Sequence, residues 1–278
     1  MVSRSNKPIK AAKQAAGQTA EPPAQENKAK KPFRGIPIRT ALIITIIVLG
    51  SIAIFTAVMV IRHTGELRAS RAEYDSLREL ADEAAEADYS GLSMSELDRE
   101  MRQINPDYVG WIRIDGTTID YPIVRGADNE KYISTSFYGE ENIAGAIFMD
   151  YRNVGDLLTY RAGEALPHII LYGHNLQRGG MFTDLRRLIS RQFLEENNII
   201  TLIINGETVE FEIFSARLTD VEDPAYYLTF DATHSFPRFA DRIGAPLQAT
   251  QIITLSTCAR RDGGGDARVI VQGYRLFN

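Results

Sequence analysis

The apolar residues of this chain fall into three successive patterns. Residues 40–61 run for twenty-two positions without a charged side chain and are dominated by Ile, Val, Leu and Ala. At 1.5 Å per residue such a helix reaches about 33 Å, enough to cross a hydrocarbon core of roughly 30 Å, so the run predicts a transmembrane helix. Between residues 65 and 103 the apolar positions thin to Leu67, Tyr74, Leu77 and Leu80, at three- and seven-residue steps. That spacing predicts a helix with one apolar face, serving as a spacer and a packing helix. A break at Asp88-Tyr89-Ser90-Gly91 and capping-box spacing from Ser93 to Glu96 predict a second, shorter helix.

From Asn105 the texture changes to short β-branched runs separated by turn residues. Val109 to Ile114, Asp115-Gly116 and Thr117 to Val124 predict one hairpin. Leu202-Ile203-Ile204, Asn205-Gly206 and Glu207 to Phe214 predict another. Between them lie Gly145 to Asp150 and His168 to His174, and near the end come Ile252 to Cys258 and a strand opened by Arg268. About eight strands over roughly 170 residues is the spacing of a mainly β domain forming a single closed or nearly closed barrel. Two helical insertions interrupt the strands, Phe182 to Leu194 and Pro237 to Ile243. The expected organisation is therefore a disordered basic tail (1–39), a signal-anchor helix (40–61), a helical spacer (62–104) and one barrel domain (105–278).

Charge orients this arrangement. Residues 1–39 hold nine Lys or Arg against Glu21 and Glu26, whereas residues 62–278 hold 22 basic against 34 acidic side chains. Positive charge stays on the cytoplasmic side, so the C-terminal body is expected outside the cell. A cleaved signal peptide would have a shorter apolar core and a small-residue cleavage site; here Arg62-His63 follows the run directly. The basic tail serves topology and contact with anionic lipid. The outer body has no basic face for nucleic acid. Neither Cys nor His has metal-ligand spacing, and no cofactor is expected.

Topology gives weight to the single cysteine, Cys258. One thiol cannot form an intramolecular disulfide, and a structural cysteine in an oxidising compartment is usually paired. A lone thiol at a strand tip outside the membrane is a candidate nucleophile. Arg268 follows ten residues later, across a glycine-rich segment at Gly263-Gly264-Gly265, which is expected to be a mobile loop beside the thiol; no phosphate-loop pattern follows it. Of the four histidines, His63 abuts the apolar run and His234 sits in a polar loop. His168 and His174 flank one strand. His174, after Gly173 at the C-terminal end, is the candidate proton carrier, and His168, after Pro167, is expected to be a rim or packing residue.

Three motifs in this order, Leu171-Tyr172-Gly173-His174-Asn175, Thr254-Leu255-Ser256-Thr257-Cys258 and Arg268-Val269-Ile270-Val271, resemble the His, Cys and Arg motifs of the sortases. The wording is most similar to class B, as are the N-terminal helices and the helix-containing insertion between Phe214 and Gln251. Supporting stretches include Val109-Gly110-Trp111-Ile112, Ile119-Asp120-Tyr121-Pro122-Ile123-Val124 and Asp128-Asn129-Glu130-Lys131-Tyr132-Ile133. The resemblance implies an eight-stranded sortase-type barrel and a transpeptidase on the outer face of a Gram-positive cytoplasmic membrane. Cys258 would attack the Thr carbonyl of a C-terminal sorting signal and hold the surface protein as a thioester. An amine of the peptidoglycan cross-bridge or lipid II would resolve it. The resemblance implies that His174 is the general acid and base and that Arg268 holds the substrate carbonyl and oxyanion. It also implies that Asn129, Ile133, Ser256 and Tyr226 or Tyr227 line the peptide groove.

Rival readings use the same side chains differently. A membrane-anchored cysteine peptidase would release its acyl group to water, a pilin-polymerising sortase would pass it to another protein, and a binding module would keep the barrel without chemistry. An L,D-transpeptidase has His and Gly directly before its cysteine, where this chain has Ser256-Thr257.

Overall fold

A computed structural model describes residues 37–87, 94–155, 166–176, 179–231, 234–259 and 265–277. The basic tail up to residue 36, the Ser93 capping position and the glycines at 263 and 264 lie outside the described residues. The chain divides into two units, 1–54 and 55–278. In the first, residues 37–54 are exposed throughout and helical from Ile38. Helix α1 has the bounds Ile38–Ala87. Among the described residues it is the one helix long and apolar enough, by length and composition, to cross a membrane.

Within the second unit, α1 buries Leu67, Ser70, Tyr74, Leu77, Ala81 and Ala84. These alternate steps of three and four, the repeat of a helical seam. Leu80, expected on this face, is 37% exposed instead; the small Ala81 and Ala84 let the helix lie close to the barrel and continue the stripe. Helix α2 (Met94–Ile104) buries Leu97 and Met101. Its Asp98 accepts hydrogen bonds from the Tyr108 hydroxyl at 2.7 Å and from Gly206 N at 3.0 Å.

Eight strands follow: β1 (Tyr108–Arg113), β2 (Asp120–Val124), β3 (Ile147–Met149), β4 (His168–Tyr172), β5 (Ile199–Ile204), β6 (Glu207–Thr219), β7 (Ile252–Cys258) and β8 (Arg268–Arg275). They close a barrel in the order β1-β2-β3-β4-β7-β8-β6-β5. The β2–β3 and β4–β7 pairs are parallel, and all other neighbours are antiparallel. The Asn205-Gly206 turn is as expected: Ile204 pairs with Glu207, and both turn residues have φ in the left-handed region, 52° and 80°.

Elsewhere the elements shift. The Asp115-Gly116 turn widens, because Ile114 N bonds to Ile119 O at 3.0 Å and the loop between them spans residues 115–118. Strand β6 does not stop near Phe214: a bulge between Ile213 and Ser215 lets it leave β5 and continue along β8 to Thr219. The insertion before β7 is therefore residues 220–251, carrying the 3-10 turn Pro224–Tyr226 and helix α4 (Phe236–Arg242). The expected helix after Phe182 is split into a 3-10 segment (Thr183–Ile189) and α3 (Arg191–Glu196) by Ser190, whose ψ of 121° is extended.

Strand β7 is buried on both faces. Ile253 and Leu255 join Ile169, Leu171, Val269 and Val271 in the main core. Ile252 faces the other way, into a second cluster with Phe239, Ala240 and Ala249 from the insertion. The same outer face carries His168, 1% exposed and therefore a packing residue. Its Nδ1–H donates to the Tyr227 carbonyl at 2.8 Å, which leaves Nε2 to accept from the Thr254 hydroxyl at 2.8 Å. The Gln272 amide donates to Thr254 Oγ1 at 3.3 Å. This polar chain joins β8, β7, β4 and the insertion.

Burial pushes the His168 imidazole down to about 4, against hydrogen bonding to Tyr227 that acts the other way. Because the unfolded chain takes up this proton at higher pH, the neutral ring's contribution is complete above about pH 6.5. It is lost as pH falls through the folded value. The shift corresponds to about 3 kcal/mol between pH 7 and pH 4. Urea titrations across that range should show this loss in the wild type and a correspondingly flatter profile in His168→Gln; equal slopes would remove His168 from the acid response.

Candidate active site

The β4–β7–β8 register creates the site. Tyr172 pairs with Ser256 and Ser256 with Ile270, while one pleat further Cys258 pairs directly with Arg268. Alternation points Thr254, Ser256 and Cys258 to the outer face, the face that the insertion covers. His174 follows Tyr172 by two residues, as Cys258 follows Ser256, and the bond from Gly173 N to Ser256 O, 3.2 Å, carries the pairing past the end of β4. The Asn175 amide then donates to Cys258 O at 2.9 Å. Cys258 and Arg268 thus form the outermost pair of β7 and β8, with His174 just past the end of β4. The thiol is half-buried.

Gly173 is demanded by crowding: a Cβ here would fall 2.4 Å from Ile147 Cδ1 and 2.9 Å from the Phe182 ring. Its φ does not lie in the left-handed region. After this tight passage, His174 O accepts from Phe182 N at 3.0 Å, and Nε2 of the ring donates to Ile133 O at 2.6 Å. A carbonyl can only accept, so Nε2 carries a proton and the neutral ring has its lone pair on Nδ1. Arg268 Nη1 donates to Gly265 O at 2.9 Å and Ala267 O at 3.1 Å, which holds the guanidinium over the start of β8.

Tyr226 reaches the site from the insertion, its hydroxyl 2.7 Å from Ser256 Oγ. Burial raises the phenol above its ordinary range, the Ser256 hydrogen bond and the Arg268 charge oppose this, and Cys258 is close enough to add to it. Tyr227 is turned the other way and fixes His168 through its carbonyl. Ile133 is 46% exposed and meets His174 through its backbone. Asn129 is engaged structurally: its amide donates to Asp150 Oδ2 at 3.1 Å and its oxygen accepts from Tyr151 N at 2.9 Å.

Asp150 is the hub that the sequence pattern did not single out. Fully buried, it accepts from Asn129, from the Tyr172 hydroxyl at 3.0 Å and from two nitrogens of the Arg152 guanidinium at 2.8 and 2.7 Å. Burial alone would push this carboxyl up, but the Arg152 and Tyr172 donors outweigh it and hold it below the usual carboxylate range. Its signal was an aspartate closing an apolar strand. Asn175 stood inside a recognised motif without a role. A cavity of about 440 Å³ opens beside Cys258 between Asn175, Ala259, Thr183, Asp184, Arg186 and Arg187. Among the described residues, no three His, Cys, Asp or Glu side chains gather as a metal shell.

A row of thiol, imidazole and guanidinium on the rim of a barrel is the equipment of an acyl-transfer enzyme with a cysteine nucleophile. A family model described as the sortase domain matches residues 112–276. Sortase B of Listeria monocytogenes is 32% identical over 202 residues, covering 69% of this chain and 78% of that protein. Sortase B of Staphylococcus aureus is 30% identical over 180 residues, covering 62% and 71%. A solved Staphylococcus aureus sortase B–substrate complex superposes with a TM-score of 0.64 at 26% identity, covering 76% of this chain and 98% of that one. The chain belongs to the sortase family, cysteine transpeptidases of the cell envelope that act on sorting signals, and its relatives are class B enzymes.

The crowding at Gly173 yields a direct test. Gly173→Ala forces Ile147 and Phe182 apart and should cost about 1–3 kcal/mol of stability, the usual range for overpacking. A urea titration with an unchanged midpoint would show that the neighbours relax freely.

Proposed function

We propose that this chain is a membrane-anchored class B sortase with Cys258 as its nucleophile. Residues 40–61 hold it in the membrane with residues 1–39 in the cytoplasm, residues 62–104 form the spacer, and the barrel of residues 105–278 works outside the cell. The observation that supports this reading is the pairing of Cys258 with Arg268, with His174 two residues past the Tyr172 that pairs with Ser256.

The chemistry follows from these groups. The Cys258 thiol passes its proton to Nδ1 of His174, and the resulting thiolate adds to the carbonyl carbon of Thr in a C-terminal sorting signal. Arg268, which here donates to the Gly265 and Ala267 carbonyls, exchanges them for the substrate oxygen and stabilises the oxyanion. His174 gives its proton to the departing amine as the C–N bond breaks, leaving a thioester on Cys258. The incoming amine of the peptidoglycan cross-bridge or lipid II then adds to that carbonyl, His174 takes its proton, and the thiolate leaves. Ser256, Tyr226, Ile133 and Asn129 flank this row and form the groove for the peptide.

Turnover should be measured with a panel of sorting-signal peptides bearing Thr at the cleavage position, with and without an oligoglycine or diaminopimelyl amine. Cys258→Ala should abolish cleavage. His174→Ala and Arg268→Ala should each lower kcat by about 10²–10³-fold with the barrel intact by circular dichroism. Full turnover in any of the three removes that residue from the mechanism. Product that never contains the amine would make this an anchored peptidase. Topology has its own test, because Cys258 is the only cysteine in the chain. A membrane-impermeant maleimide should label intact cells, and labelling only after lysis would reverse the orientation.

A further inference from the structure

We infer that Tyr74, on helix α1, is a positioning residue for the His174 imidazole. The inference rests on the proposed role of His174 and begins from the 2.6 Å bond between its Nε2 and the Ile133 carbonyl. That acceptor keeps the proton on Nε2 and the basic lone pair on Nδ1, so whatever aims the carbonyl also selects the reactive nitrogen. Hydrogen bonds of this kind weaken quickly with misalignment, and a proton-transfer group displaced by 1 Å loses most of its effect.

The Ile133 carbonyl is aimed by the loop that follows it. Residues 134–146 fold back so that Gly145 lies against the peptide groups of Tyr132 and Ile133: a Cβ at Gly145 would fall 2.4 Å from Tyr132 O and 2.7 Å from Ile133 O. Ala146 N bonds to Tyr132 O at 3.0 Å, Asn142 N to Ser134 O at 2.9 Å and Gly145 N to Asn142 O at 3.0 Å. Two adjacent α1 residues grip this loop from below. The buried Tyr74 hydroxyl donates to Gly145 O at 2.7 Å and accepts from Phe137 N at 3.2 Å, while Glu73 Oε2 accepts from the Asn142 amide at 3.2 Å. Edge-on packing against Tyr121, centroids 5.4 Å apart, holds the Tyr74 ring. The path from Tyr74 to His174 therefore runs through two backbone groups, Gly145 and the Ile133 carbonyl against which it lies, the latter being the acceptor of the imidazole.

Tyr74→Phe separates positioning from packing, since it keeps the ring and removes only the hydroxyl that holds Gly145 and Phe137. In the full-length chain in detergent, kcat for transpeptidation should fall about tenfold while KM for the sorting peptide stays within about twofold. In the ¹⁵N-histidine-labelled chain without substrate, the His174 ring should report the Nε2–H tautomer in the wild type and a mixture of tautomers in Tyr74→Phe, His174→Ala assigning the signal. Unchanged kcat or an unchanged tautomer, even with a lowered melting temperature, overturns the inference. Should Tyr74→Phe fail to fold, Asn142→Ala, which removes the neighbouring grip, must move both readouts in the same direction with smaller size, and no movement there overturns it equally. Full turnover in His174→Ala would instead overturn the proposed mechanism, whatever Tyr74 does.

Discussion

Everything at this site depends on the register of one strand. β7 is parallel to β4, antiparallel to β8 and buried on both faces, so its side chains have no freedom of direction. A slip of one residue would send Ile253 and Leu255 out of the main core and turn Cys258 into it. The apolar core therefore specifies the chemistry: the same alternation that buries Ile253 and Leu255 places Thr254, Ser256 and Cys258 on the opposite face. Once the register is set, backbone pairing brings Arg268 opposite Cys258, and His174 follows two residues after the Tyr172–Ser256 pair.

The outer face is then shaped by what covers it. The insertion of residues 220–251 contributes Phe239 and its neighbours over Ile252, and it is tied to the barrel by the buried His168–Tyr227 and His168–Thr254 bonds. Tyr226, the residue next to that tie, bonds Ser256 one pleat below the thiol. On the opposite flank Asp150 gathers Asn129, Tyr172 and Arg152. Both flanks are thus tied down by hydrogen bonds among buried polar groups.

Local patterns carried much of this into the sequence. The alternation of Ile252 to Leu255, the left-handed Asn205-Gly206 pair and the lone thiol outside an apolar helix are short-range signals, and the three family motifs fixed the order of His, Cys and Arg. Features set by distant neighbours were hidden. Leu80 looked apolar enough for the packing stripe, yet the close approach of helix and barrel selects Ala81 and Ala84. The extension of β6 depends on a bulge that changes its partner, and no composition marks where a strand switches neighbours. The sequence left His168 open between a rim and a packing residue because its acceptor and donor come from 59 and 86 residues away. Tyr74 meets Gly145 across 71 residues, a separation that leaves no periodic trace.

In the proposed mechanism His174, Cys258 and Arg268 make and resolve one thioester. Its most direct test is intact-mass spectrometry of the full chain, acid-quenched during turnover of a sorting-signal peptide with the amine withheld. A single adduct equal to the acyl fragment is expected, mapped to Cys258, discharged when the amine is added and absent in Cys258→Ala. An adduct on another residue, or efficient cleavage with no adduct at Cys258 at any time, would contradict it.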